Sequence, residues 1–187
     1  MASSDLISSA TTLTANFYLK NFYKMNRDAI KVSTRSNYTQ TELSYEDTRA
    51  LKRAVAKLSS FDYTEDENGG NIGSTIQAFA KTYNYVLEST SNEDSSSSRQ
   101  QRQLKALTKK FEKELKEIGI SIEEDGKLTI KDDILSGSSF KEIRKVFSSE
   151  GDYVKGLRNI AKRLHNTSYE DVYSQLTGAG GQLNITL

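Results

Sequence analysis

Apolar positions in this chain fall into stripes with a period near 3.6, and at one place only the period drops to two. The first stripe runs through Ala15, Tyr18, Phe22, Met25, Ala29 and Val32 in alternating three- and four-residue steps, the spacing of one helix face. It fades in STRSNYTQTE, where Ser, Thr and Asn compete for the backbone hydrogen bonds of a helix. Ser44 predicts a fresh start, with Asp47 at the position of a capping-box acid. Leu51, Ala54, Val55, Leu58 and Phe61 then form the inner face, with Arg49, Lys52, Arg53 and Lys57 outside. Gly69 and Gly70 in FDYTEDENGGNIGS mark the turn that ends this helix.

A third helix carries Ile72, Ile76, Phe79, Tyr83 and Val86 and runs into the polar linker STSNEDSSSS. The fourth, from about Arg99 to Ile118, buries Leu104, Leu107, Phe111, Leu115 and Ile118. Gly119 follows at the position where positive φ ends a helix. Here the period changes. Ile120 and Ile122 alternate with Ser121, Leu128 and Ile130 alternate with Thr129, and Asp125-Gly126 lies between, which predicts a β-hairpin. Ser139 with Glu142 caps a helix burying Phe140, Ile143, Val146 and Phe147. After Gly151 another helix buries Tyr153, Leu157, Ile160, Ala161 and Leu164, and SYEDVYSQL adds a separate last turn or two.

These elements predict a mainly α protein, an elongated antiparallel helical bundle with one small β-hairpin at about 119–131. Residues 1–12 are expected to be a disordered tail, 13–177 a single helical domain, and 178–187 a flexible Gly-rich tail.

Composition narrows the function. The 187 residues include no Cys, no Pro and no Trp. Without Cys there is no disulfide framework and no thiolate chemistry; without Pro, long helices run uninterrupted. The 26 basic and 25 acidic side chains leave a formal charge of +1, which gives no general attraction to nucleic acid. The hydrophobic fraction of 35% suits a slim helical object better than a thick layered core. No run approaches the ~18 apolar residues of a membrane span, and MASSDLISSATTLTANF has neither basic n-region nor apolar h-region. Cytoplasmic residence, or export without a cleaved signal, is the expectation.

Candidate chemistry is sparse. Glu123, Glu124 and Asp125, with Asp132 and Asp133, flank the hairpin and could attract a divalent cation, but their spacing is not that of a calcium loop. They read as solvated turn acids. Arg99, Arg102, Lys105, Lys109, Lys113 and Lys116 line one helix face, yet Glu112, Glu114 and Glu117 are interleaved with them. His165, the chain's single His, has Ser168 and Asp171 near in sequence; an interaction with the last carbonyls of its helix is the simpler role. TGAGG lacks the Lys-Ser/Thr of a phosphate loop, and three Asn-x-Ser/Thr matches lack a secretory context. No catalytic residue, cofactor or metal site is expected, and the chain reads as a non-enzymatic protein.

Three segments resemble a known family. FAKTYNYVLEST, LKEIGISIEEDGKLTI and IRKVFSSEGDYVKGLRNIAKRL occur in the order found in the C-terminal part of hook-associated protein 2, the flagellar filament caps. The likeness runs from about Ile72 to Leu164, half the chain, and its central segment is the most specific. The caps carry large β-rich insertions and a long coiled-coil arm, so the resemblance implies a relative of their helical stem. It implies a structural protein that associates with flagellin-like chains or with itself through amphipathic helices. It further implies a place at a bacterial flagellum reached by signal-peptide-free export. The rival expectation is a cytoplasmic adaptor or chaperone that holds a partner's amphipathic helix. Nucleic acid, membrane insertion and a small-molecule substrate are not expected. The stripe Ala15, Tyr18, Phe22, Met25, Ala29 and Val32, aromatic and set off by a loose linker, is the candidate interaction surface, although an amphipathic stripe ordinarily packs within its own chain.

Overall fold

In the computed structural model the described residues are 32–61, 63, 70–91 and 97–177. The stripe residues Ala15, Tyr18, Phe22, Met25 and Ala29, and both expected tails, lie outside them. Val32 enters only as the first backbone position of a 3-10 helix, Val32–Asn37.

Seven α-helices and two strands follow among the described residues: α1 Gln40–Ser59, α2 Gly70–Ser89, α3 Ser98–Lys110, α4 Glu112–Glu117, β1 Ile120–Ile122, β2 Leu128–Ile130, α5 Asp132–Gly137, α6 Phe140–Phe147 and α7 Asp152–Thr177. Among the described residues the protein is mainly helical with a single two-stranded antiparallel hairpin, as the periodicity predicts.

Capping decides where α1 begins, and it overturns the expected start at Ser44. The Thr39 side chain accepts from the Glu42 N–H while the Glu42 carboxylate accepts from the Thr39 N–H at 2.8 Å, a complete capping box. Glu is long enough to reach back to the N-cap; Asp47 is one methylene shorter and is committed elsewhere. Ser44 therefore lies inside the helix, where its hydroxyl meets that of Ser168 at 2.9 Å. The box expected at Ser139 and Glu142 does open α6.

Neighbouring helices run antiparallel. Gln40 at the start of α1 donates to main-chain carbonyls at the end of α2, and Ser44 meets Ser168 in the C-terminal half of α7. Gln100 near the start of α3 reaches Thr167 of α7, while Thr108 near its end meets Tyr153 at the start of α7. The stripes of α1, α2, α3, α6 and α7 feed one core, centred on aromatic rings. Phe79 meets Phe147 edge-on with centroids 5.7 Å apart, and Phe147 meets Tyr153 at 6.1 Å. Such pairs add about 0.5–1.5 kcal/mol beyond burial. The Tyr83 hydroxyl is pushed up to about 12 by burial among them.

The expected fourth helix is broken. At Phe111 (φ −104, ψ 19) the N–H donates to the Thr108 carbonyl, a three-residue step that ends α3, and α4 restarts at once. The break carries the Phe111 ring against Tyr153, with centroids 5.1 Å apart.

The hairpin pairs Ile120 with Ile130, Ser121 with Thr129 and Ile122 with Leu128. Its loop closes with Gly126 N–H on the Glu123 carbonyl and Glu123 N–H on the Lys127 carbonyl, with Gly126 at φ +88. This is a three-residue loop in which the left-handed residue has to be Gly. Gly119 has φ +81, as its position after the helix predicts. Two further differences follow. DDILSG folds as α5, and the last two expected helices are one, because nothing between Leu164 and Ser168 breaks a helix. His165 consequently sits near the middle of a 26-residue helix, not at its end.

Candidate interaction surfaces

The three segments that carry the family resemblance meet in one region. Asn84 of the first donates its side-chain N–H to the Leu128 carbonyl and accepts from the Leu128 N–H through its Oδ1, each at 2.8 Å. Leu128 belongs to the second segment. Phe79 of the first packs on Phe147 of the third. One helical turn beyond Asn84, Glu88 pairs with Lys127 at 3.0 Å, which holds the Lys127 ammonium above its ordinary pKa.

The end of α2 is equally well held. Gln101 donates to the Leu87 carbonyl at 2.8 Å, and Thr90 donates to that of Val86 at 2.6 Å. Arg35 lies 4.0 Å over the Tyr85 ring and grips Asp47 through two bonds of 2.6 and 2.8 Å. A cation at the C-terminal end of a helix also meets its dipole favourably.

None of the chemical candidates assembles into a reaction centre among the described residues. The Ser168 hydroxyl bonds to Ser44, not to His165. The His165 ring lies 5.2 Å from that of Tyr45, and its Nδ1 is buried with no hydrogen-bond partner. Burial first, then Lys52, Arg49 and Arg53 on α1, lower its pKa to about 4. It makes no contact with terminal carbonyls, since α7 runs on to Thr177.

The hairpin acids serve the loop. Asp125 accepts from the Lys127 N–H at 2.9 Å, which lowers the carboxyl pKa, and Glu123 accepts from Thr129. Asp132 accepts from Gln77 at 2.8 Å, and Asp133 lies in the first turn of α5. No group of three or more His, Asp or Glu suited to a metal occurs among the described residues. On the α3–α4 face, Lys105 donates to the Asp125 carbonyl and Lys109 pairs with Glu112 at 2.9 Å.

Two of the surface depressions among the described residues lie between helices. One, of about 590 Å³, lies between α2, α5 and α6, with Ile72, Leu135, Phe140 and Ile143 beneath a rim of Ser and Gln. The other, of about 520 Å³, is a valley between α1 and α7. Lys52 stands on one side of it and Lys155, Arg158 and Lys162 on the other, with Ala56 and Ala161 between. The periodicity marks Lys52 as an outer residue of α1, and the cations of α7 are legible in the same way, but no local signal says that the two helices lie side by side. Among the described residues no helix is long and apolar enough to cross a membrane.

Comparison with family models, curated proteins and solved structures finds no match to this chain.

Proposed function

We propose that this chain is a non-enzymatic assembly protein that joins other proteins through amphipathic helices, in the manner of the helical stem of the flagellar filament cap. The observation that carries the reading is the meeting of the three cap-like segments around Asn84, Leu128, Phe79 and Phe147. Distant segments that resemble one family in sequence also form one packing unit, with Asn84 tying helix to hairpin. In this reading the partners are flagellin-like chains or further copies, and the protein works at the bacterial flagellum after signal-peptide-free export.

Fractionation of native cells into cytosol, medium and sheared filaments tests it. Filament-associated or secreted protein that disappears when flagellar export is disabled is the expected result. Strictly cytosolic protein in motile cells would overturn it.

A second reading, an adaptor or chaperone that holds a partner's amphipathic helix in the cytoplasm, is favoured by the valley between α1 and α7. Helix-lined grooves of this kind take a third helix on their apolar floor. Capture of one soluble partner in fixed stoichiometry from the cytosolic fraction is the result expected of it.

A further inference from the structure

Among the described residues, no carboxylate lines the α1/α7 valley beside its cations. Lys155, Arg158 and Lys162 follow the three- and four-residue steps of one helix face and so rise along about 10 Å of the α7 axis. Lys52 faces them from α1. None of Lys52, Lys155, Arg158 and Lys162 has an ion-pair partner among the described residues, and no carboxylate lines the valley. Acids balance bases over the whole chain, at 25 against 26, so this is a local concentration of charge. Like charges gathered within a Debye length of about 10 Å repel until an anionic surface covers them.

The floor says what kind of surface. Ala56 is exposed and Ala161 buried, and neither extends beyond Cβ, so a helix can approach to the ordinary 8–10 Å spacing of packed helices. Phosphates would gain nothing from an alanine floor, and no aromatic ring lines the valley to stack a base. A small anion would need converging donors out of water, whereas all four cations here are exposed.

We infer that the valley between α1 and α7 docks an acidic amphipathic helix of a partner protein, its apolar ridge on Ala56 and Ala161 and its carboxylates against Lys52, Lys155, Arg158 and Lys162. The inference rests on the protein-binding reading above and gives that reading a site and a partner chemistry.

The test titrates the full chain with a synthetic peptide of about 20 residues carrying a Leu/Ala stripe flanked by Glu on both sides. Binding that weakens with added salt is expected. A Gln-flanked copy of the peptide should bind roughly tenfold more weakly, and K155E/R158E should lose roughly as much. K113E/K116E, which reverses two cations outside the valley, should bind like the parent. A56W fills the valley without changing charge and should also block binding; circular dichroism and thermal melts establish that each variant is folded. The single imidazole supplies a second readout: bound carboxylates offset the field of Lys52, so the His165 titration midpoint should rise in the complex.

Equal affinity for the Glu- and Gln-flanked peptides, or for the parent and K155E/R158E, overturns the assignment. So does a valley that binds only duplex DNA, one covered by a second copy of the chain in sedimentation runs, or an unmoved His165 midpoint. If the peptide fails while the protein still co-sediments with sheared filaments, the valley assignment falls and the assembly reading stands. If the peptide binds as expected but the protein stays cytosolic, the site stands and the flagellar reading falls.

Discussion

The side-chain amide of Asn84, on helix α2, pairs with the main chain of Leu128 as a neighbouring strand would, donating to its carbonyl and accepting from its N–H at 2.8 Å each. In the hairpin register Leu128 opposes Ile122 in a position whose N–H and carbonyl point away from β1. Without Asn84 those groups would form an open strand edge. One side chain thus fixes the hairpin against the helix.

Asn84→Asp replaces the donating nitrogen with an oxygen facing the Leu128 carbonyl. It is expected to destabilise the fold by about 1–3 kcal/mol, the range for a buried group left unsatisfied. Urea unfolding measures the loss, and faster hydrogen exchange at the Leu128 amide locates it. A Leu128 amide that exchanges no faster in the variant would count against this role for Asn84.

Glycine substitutions separate backbone need from mere permissiveness. Gly119 has φ +81, and an added Cβ would lie 2.9 Å from the Lys131 carbonyl oxygen, so Gly119→Ala should lower stability by at least about 1–2 kcal/mol. Gly73 is helical, with nothing within 4 Å of an added Cβ, so Gly73→Ala should raise stability by about 0.5–1 kcal/mol. Thermal melts of the two variants should move in opposite directions.

The two capping boxes explain how far the sequence could be read. Ser139 and Glu142 stand alone at the head of a short apolar run, and α6 begins where they indicate. At α1 two candidates compete within five residues, and the one with the longer acid wins. The hairpin was legible because alternation and Asp-Gly coincide there, whereas the Phe111 break arises from a ring packing on Tyr153, a contact distant in sequence. The basic ridges were legible one helix at a time. Their adjacency depends on buried contacts such as Ser44 with Ser168, which no periodicity encodes.

His165 predicts a pH dependence. Burial, aided by Lys52, Arg49 and Arg53, lowers its folded pKa to about 4, against 6.5 in the unfolded chain. Between those values the unfolded chain binds the extra proton, so this contribution to stability is complete above pH 6.5 and lost as pH falls towards 4. Allowing for the partial exposure of the ring, the loss is about 1–2 kcal/mol. His165→Gln should flatten this part of the profile relative to the parent chain. Parallel profiles across the interval would rule the mechanism out.

Ser44 and Ser168 provide the sharpest check on the packing of α1 against α7. Both hydroxyls are buried, and they bond to each other at 2.9 Å. Ser44→Ala or Ser168→Ala leaves the remaining hydroxyl in a dry interface, at a cost of about 1–3 kcal/mol each. Removing both leaves no unmatched group, so the double variant should be more stable than the sum of the single losses predicts. The coupling expected from a double-mutant cycle is about 1 kcal/mol or more. Strict additivity would mean that the two hydroxyls do not meet, and the α1/α7 alignment that sets Lys52 across the valley from Arg158 would lose a buried polar tie.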